Sequence, residues 1–407
     1  MSRTSTMAVE ATATPLPFQA RSHGEARVDT AGKDHIVDTM RGFAALLVAY
    51  FHCRQVEWVG MQSFHQTMGH SLDLNAIVAY LTFPIAWGSA GVPIFFVISG
   101  YCIHRGAALR IAQNPNYRLD ATNFWARRFA RIYPVLLAAL LLTFAFDWFS
   151  LQLPPVSHKV RDIGVQAFLV NLFSLQGVAG KTYGSNGALW TLSLEVQFYA
   201  IYPLLFALRR RIGIGPVLAG VALVNVVSAF VLERHDLQFF TSYWLSWTLG
   251  AWIADVKAQQ GGTAKQPPSS LLYVAAAVFT ALGCIAFHFG QYGAFQLWAL
   301  GFACYLYRAL DTVRTAGGIA MRALARVGDF SFSLYVVHLP IFVLLSSLLF
   351  RSTLQLTIWP TFGYMLVAVV VAYVFHRLVE LPAMKWSASL KPRNRGAAAS
   401  TGAAARV

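Results

Sequence analysis

Long apolar runs alternate with short polar stretches along this chain. Runs of roughly 17 to 25 residues are the length that crosses about 30 Å of hydrocarbon as a helix. They fall at 36–54, 83–104, 132–150, 188–208, 213–232, 239–256, 271–289, 293–310, 330–350 and 358–377. A further apolar stretch at 163–175 is too short for a span and reads as a buried short helix. The pattern therefore predicts an all-α, polytopic membrane helix bundle with about ten transmembrane helices.

Composition agrees, since 57 % of the 407 residues are hydrophobic and only 12 % are charged, too few to cover a soluble protein of this length. The formal net charge of +15 could suggest nucleic acid, but its distribution points elsewhere. Of 32 Lys and Arg, 25 fall on one side of the predicted spans and 6 on the other, with Arg41 inside a span. The positive-inside rule makes the richer side cytoplasmic, places both termini there and accounts for the charge without nucleic acid. Residues 1–33 and 387–407 read as disordered cytoplasmic tails, and 259–270 as a flexible loop, around one membrane domain at 34–386. Cys53, Cys102, Cys284 and Cys304 sit in or beside apolar runs without paired spacing, so neither a disulfide framework nor a metal site is expected.

The first run, DTMRGFAALLVAYFHCR from Asp38 to Arg54, carries an arginine and a histidine eleven positions apart. Eleven residues are three helical turns plus about 20°, so Arg41 and His52 share one face and stand roughly 16 Å apart along the axis. Ionisable groups at such depth point to a functional interior face. The alternative is an arginine snorkelling to the cytoplasmic headgroups and a histidine at the outer edge. Cys53 points about 100° away from His52, which argues against a Cys-His nucleophilic pair.

RGFAALLVAYFH resembles the R-x10-H signature of the acyltransferase 3 family of integral-membrane acyltransferases. Four further stretches resemble family motifs in the expected order: GVPIFFVISGYCI at 91–103, FWARRFARIYP at 124–134, LWTLSLEVQFYAIYPLL at 189–205 and DFSFSLYVVHLPI at 329–341. Thr39, Thr191, Phe332 and Leu381 depart from the family pattern without removing a group assigned to chemistry.

The resemblance implies acyl transfer, with acetyl-CoA from the cytosol as donor and a hydroxyl of an extracytoplasmic or lipid-linked glycan as acceptor, in a bacterial inner membrane. It assigns His52 as the general base, a role its ordinary pKa near 6.5 suits. Arg128 and Arg131, three apart on one helical face, are candidates to hold coenzyme A phosphates together with Arg127; ordinary positive-inside anchoring is the alternative. Arg41 would meet the donor at the opposite end of the face from His52. Glu195, in the fourth span a few residues from its outer end, is expected to contact an arginine or His52, in catalysis or as a structural ion pair. Asp329, Ser331, Ser333, Tyr335 and His338 open the ninth span near the cytoplasm, where Ser331, Tyr335 and His338 are expected at the donor or in helix packing. No metal is expected, and a separate acceptor-side protein could complete the transfer. The rival classes are an acylase of a small molecule or lipid headgroup, and a transporter. A transporter would also have intramembrane charges, but the chain shows no inverted repeat.

Overall fold

The computed structural model describes residues 35–69, 72–232, 235, 237–260, 269–312 and 317–390. The expected tail 1–33, most of 387–407 and most of the 259–270 loop lie outside the described residues.

In chain order the helices are α1 (His35–Glu57), α2 (Gly60–Met68), α3 (Leu74–Leu81), α4 (Gly91–Gln113), α5 (Ala121–Leu151), α6 (Val165–Leu172), α7 (Trp190–Ile212) and α8 (Ile214–Leu232). They continue with α9 (Trp244–Gln260), α10 (Ser269–Ala286), α11 (Gln291–Thr312), α12 (Ile319–Asp329), α13 (Ser331–Phe350), α14 (Trp359–Phe375) and α15 (Leu381–Ser389). Among the described residues there is no strand, and the fold is an all-α bundle. The ten predicted apolar runs fall largely on helices, and among the described residues 7 helical stretches are long and apolar enough to cross a membrane. The short run at 163–175 is α6, 8 residues long.

Local chemistry sets the helix ends. Asp73 and Asp120 cap α3 and α5 by accepting from the backbone of Ala76 at 2.7 Å and Asn123 at 3.1 Å. The Asp120 cap starts α5 well before the predicted span at 132, so Arg127, Arg128 and Arg131 ride on the helix itself. At the far end of the chain, α14 passes through a π turn, His376–Glu380, into α15. A wider turn of this kind changes which face the following side chains occupy.

α1 lies inside the bundle against α4, α12, α13 and α14. Small residues permit the close approaches, as is usual where helices pack within a membrane. A Cβ on Gly42 would stand 1.9 Å from Leu324 O, and one on Gly328 2.0 Å from Asp38 O, so α1 and α12 touch backbone to backbone. α4 and α9 interlock in the same way, with Gly100 against Trp247 O and Gly250 against Val97 O.

The connection after α6 folds back into the bundle. Tyr183, Ala188 and Leu189 are buried, and Asn186 donates to Thr143 Oγ1 at 3.0 Å and to Val336 O at 2.8 Å. Burying this polar segment is possible because its amides find partners on α5 and α13.

Candidate functional site

α1 presents His52 to α13, where His52 Nδ1 meets His338 Nε2 at 2.8 Å and the two rings stack with centroids 5.1 Å apart. The other nitrogen of His338, Nδ1, lies 3.0 Å from Leu334 O. A carbonyl oxygen only accepts, so His338 Nδ1 carries the hydrogen and, in the neutral ring, Nε2 is the acceptor. His52 Nδ1–H is then the donor, and His52 Nε2 is left with its lone pair. His338 is fully buried and His52 half-buried.

This position corrects the expectation that His338 belongs near the cytoplasmic arginines. α12 ends beside Asp38 in the first turn of α1, and His338, about two turns into α13, stands far enough along that helix to meet His52. Ser331 and Tyr335 also have other partners. Ser331 Oγ donates to Gly328 O at 2.9 Å across the α12–α13 junction. Tyr335 OH meets Thr191 Oγ1 at 2.7 Å, and its ring packs edge-on against His338.

The arginine end is assembled from α1, α4, α5 and α7. Arg41 Nη2 donates to Cys102 Sγ at 3.3 Å, and Nη1 lies 3.5 Å from Asp38 Oδ1. One turn from Cys102 on the same face of α4, Ser99 Oγ donates to Glu195 Oε1 at 2.5 Å and accepts from Trp247 Nε1 at 3.1 Å. Tyr199 OH donates to the same Glu195 oxygen. Because Ser99 and Cys102 are neighbours, Glu195 and Arg41 share one level. Glu195 was expected near the outer end and beside an arginine or His52; its hydrogen bonds run instead to Ser99 and Tyr199. The inward fold of the segment before α7 starts that helix inside the bundle, and this carries Glu195 toward Arg41 and Arg128, whose charges reach it.

Arg128 lies over the rings of Phe124 and Tyr199, 5.6 and 5.9 Å from their centroids, and its buried Nε has no hydrogen-bond partner. Arg131 lies within the electrostatic reach of Arg41, Arg128, Tyr199 and Glu380. Neither Arg128 nor Arg131 forms an ion pair among the described residues. Two half-buried guanidinium groups without a carboxylate, one with an orphaned N–H, suit an anionic group such as phosphate. Arg127 is held by its backbone, whose carbonyl accepts from Ser387 Oγ at 2.6 Å.

Sequence reasoning missed Glu380. It is buried, and its Oε2 accepts from Ser333 Oγ at 2.6 Å and from His376 Nδ1 at 2.8 Å. The π turn aims it inward, which a regular helical period does not reveal. A buried acid at the end of an apolar run was the available signal. A second missed group joins α4, α7 and α9, where Asp255 receives His104 at 3.1 Å and Arg209 at 2.7 Å.

Comparison with known proteins identifies the family. Residues 34–377 match the acyltransferase domain of the acyltransferase 3 family. The chain is 24 % identical to acyltransferase MdmB of Streptomyces mycarofaciens, over 87 % of this chain and 92 % of that protein. It is 28 % identical to the putative membrane-bound transacylase BcsY of Komagataeibacter xylinus, over 79 % of this chain and 84 % of that protein. With the O-acetyltransferase OatA of Staphylococcus aureus it shares 24 % identity over 74 % of this chain, spanning 53 % of that longer protein. No solved structure matches. With the family motifs spread over five stretches and the match covering nearly the whole bundle, the chain belongs to the acyltransferase 3 family and is a membrane-bound O-acyltransferase.

Proposed function

We propose that this enzyme moves an acetyl group from cytosolic acetyl-CoA to a hydroxyl of an extracytoplasmic or lipid-linked glycan in a bacterial inner membrane, within a single membrane domain at 34–386. The observation that carries the reading is the contrast between the two ends of one face of α1. An imidazole nitrogen with a free lone pair stands at one end, and at the other Arg41, paired with Asp38, lies within the electrostatic reach of Arg131 of α5, which like Arg128 forms no ion pair among the described residues. The separation of roughly 16 Å between Arg41 and His52 is about what an extended pantetheine arm covers between its phosphates and its thioester.

Arg128 and Arg131, with Arg41 and Arg127 nearby, hold the anionic end of the donor. His52 Nε2 takes the proton of the acceptor hydroxyl as its oxygen attacks the thioester carbonyl, and returns that proton to the departing thiolate. His338 holds the active tautomer and accepts from the imidazolium that forms. Glu195, fixed by Ser99 and Tyr199, orients the arginine end. The glycan class draws support from relatives, among them the putative peptidoglycan O-acetyltransferase YrhL of Bacillus subtilis, 30 % identical over 42 % of this chain and 30 % of that protein.

The test is transfer of radiolabel from acetyl-CoA in inside-out membrane vesicles at matched protein levels. His52→Ala is expected to abolish transfer, and Arg128→Ala with Arg131→Ala to raise the donor concentration required. Unchanged transfer in His52→Ala refutes the assignment of the base.

A further inference from the structure

Cations are scarce on the side of the spans that is poorer in Lys and Arg, and most of them gather in one place. Of the 6 on that side, four are Lys159, Arg161, Lys181 and Arg351. The first three lie on the connections that flank α6, and Arg351, just beyond α13, donates from Nη1 to Pro154 O at 3.3 Å in the first of these connections. α13 starts beside Asp38 and passes His338 before it reaches Arg351, so the cluster stands beyond His52 from the arginine end. The one acid on these connections, Asp162, accepts from Gly164 N at 2.7 Å. None of the four cations forms an ion pair among the described residues.

α6 is 8 residues long, too short to cross a bilayer, and it is apolar on two faces. Ala167, Phe168 and Leu172 pack against the main core. Val165, Leu169 and, just past the helix end, Phe173 follow one another at every fourth position and form the other face, 76, 44 and 62 % exposed. With Gln166, Val170 and Leu175 they line an open groove of about 400 Å³.

Hydrogen bonds set two of these cations at the rim of the groove. The returning segment 180–184 runs along α6. A Cβ on Gly180 would stand 3.2 Å from Val170 Cγ1, Asn171 Nδ2 donates to Lys181 O at 3.0 Å, and Gly184 N donates to Asp162 O at 3.1 Å. Arg161 Nη1 donates to Thr182 Oγ1 at 3.0 Å, which brings this exposed arginine beside exposed Lys181. The same segment leads to the histidine pair. Four residues separate Thr182 from Asn186, a reach of at most about 14 Å. Asn186 donates to Val336 O at 2.8 Å, and a Cβ on Gly187 would stand 3.7 Å from Leu339 Cδ1, on the residue after His338.

We propose that α6 and its flanking connections bind the lipid carrier of the acceptor glycan, a phosphate-linked lipid saccharide. Its tail lies along Val165, Leu169 and Phe173, and its phosphate meets Arg161 and Lys181. The inference rests on the acyl-transfer reading of His52 given above and narrows its acceptor to the lipid-linked class. An apolar groove rimmed by cations that no acid neutralises is complementary to an amphiphile with a hydrocarbon tail and an anionic head. The planar guanidinium of Arg161 can take two phosphate oxygens at once, and Lys181 adds a point charge. A phospholipid of the surrounding bilayer would need only a tail groove and a cation. The site also sits on the segment that leads to His338, which favours the substrate's own carrier, with the saccharide running from the phosphate towards His52.

The experiment is photocrosslinking of the full chain, in phosphatidylcholine nanodiscs, with a polyprenyl phosphate that carries a benzophenone in its tail, mapped by mass spectrometry. Label is expected within 165–175. Arg161→Gln with Lys181→Gln removes charge-assisted hydrogen bonds and is expected to lower that label about tenfold. Leu169→Trp fills the groove while keeping both cations, and is expected to displace the label from α6. Equal labelling of α8 and α10, whose apolar residues are also exposed, overturns the inference, as does label that ignores the double variant. Competition by phosphatidylglycerol as effective as competition by unlabelled polyprenyl phosphate overturns it too, because that result gives the groove to bilayer lipid. The readout needs no turnover. Specific label in a protein that transfers no acetyl from acetyl-CoA therefore strikes the acyl-CoA reading, whereas transfer without specific label strikes this inference alone.

Discussion

Replacing His338 by Phe tests the tautomer argument directly. The ring volume is roughly kept, but the acceptor for His52 Nδ1–H at 2.8 Å is removed, and with it the link to Leu334 O. Two consequences follow. The neutral His52 proton is no longer held on Nδ1, so part of the population carries it on Nε2 and cannot act as a base. The imidazolium formed during transfer also loses a charge-assisted hydrogen bond. A buried donor left unpaired costs about 1–3 kcal/mol, and each 1.4 kcal/mol or so is tenfold in rate. The expected loss in Vmax is therefore about 10- to 100-fold. KM for acetyl-CoA should stay constant, because the arginine end is untouched. His338→Gln keeps a carbonyl acceptor and should fall between wild type and His338→Phe. The assay is initial-rate transfer over a range of acetyl-CoA concentrations in vesicles. An unchanged Vmax in His338→Phe refutes the tautomer reading. A raised KM with normal Vmax would instead return His338 to the donor site.

Two further outcomes are expected. Glu380→Gln removes a charge that acts on Arg131 and weakens the hold of Ser333 and His376, so KM for acetyl-CoA should change by several-fold while Vmax changes less; a kinetic titration of donor checks it. Gly328→Ala places a Cβ 2.0 Å from Asp38 O, so α12 and the following α13 must shift against α1 by at least ~1 Å, a misplacement that can cost about 100-fold in turnover. Thermal unfolding in detergent separates that effect from a general loss of fold.

The face shared by Arg41 and His52 was legible because it depends on helical period alone, and the membrane helix bundle was legible because bilayer thickness fixes the length of an apolar run, although 7 rather than about ten of the described helical stretches are long and apolar enough to cross. What the sequence did not reveal is the relative height of one helix against another. His338 was expected low in the bundle, yet α13 starts beside the first turn of α1, where Gly328 meets Asp38, and about two turns of it carry His338 up to His52. Glu195 was expected near the outer end, yet the buried 174–189 segment sinks the start of α7 and sets Glu195 level with Arg41. Glu380 escaped for another reason, since a π turn breaks the periodicity by which a helical face is counted. In each case local pattern named the residue types, while contacts distant in sequence chose their neighbours.

Those heights bear on how charge is arranged along the proposed route. At the arginine end, Glu195 is taken up by two hydroxyls and Glu380 by a hydroxyl and a histidine, so neither forms an ion pair with Arg128 or Arg131. At the other end of the face stands the histidine pair. A bundle selected for stability alone would gain by matching these cations with acids, since an unpaired buried charge is costly. Leaving them unmatched makes sense where negative charge arrives from outside, as the phosphates of the donor. Neutralising the arginine end with a new carboxylate should therefore steady the resting protein while raising the KM for acetyl-CoA, the opposite of what a purely structural role for these cations requires.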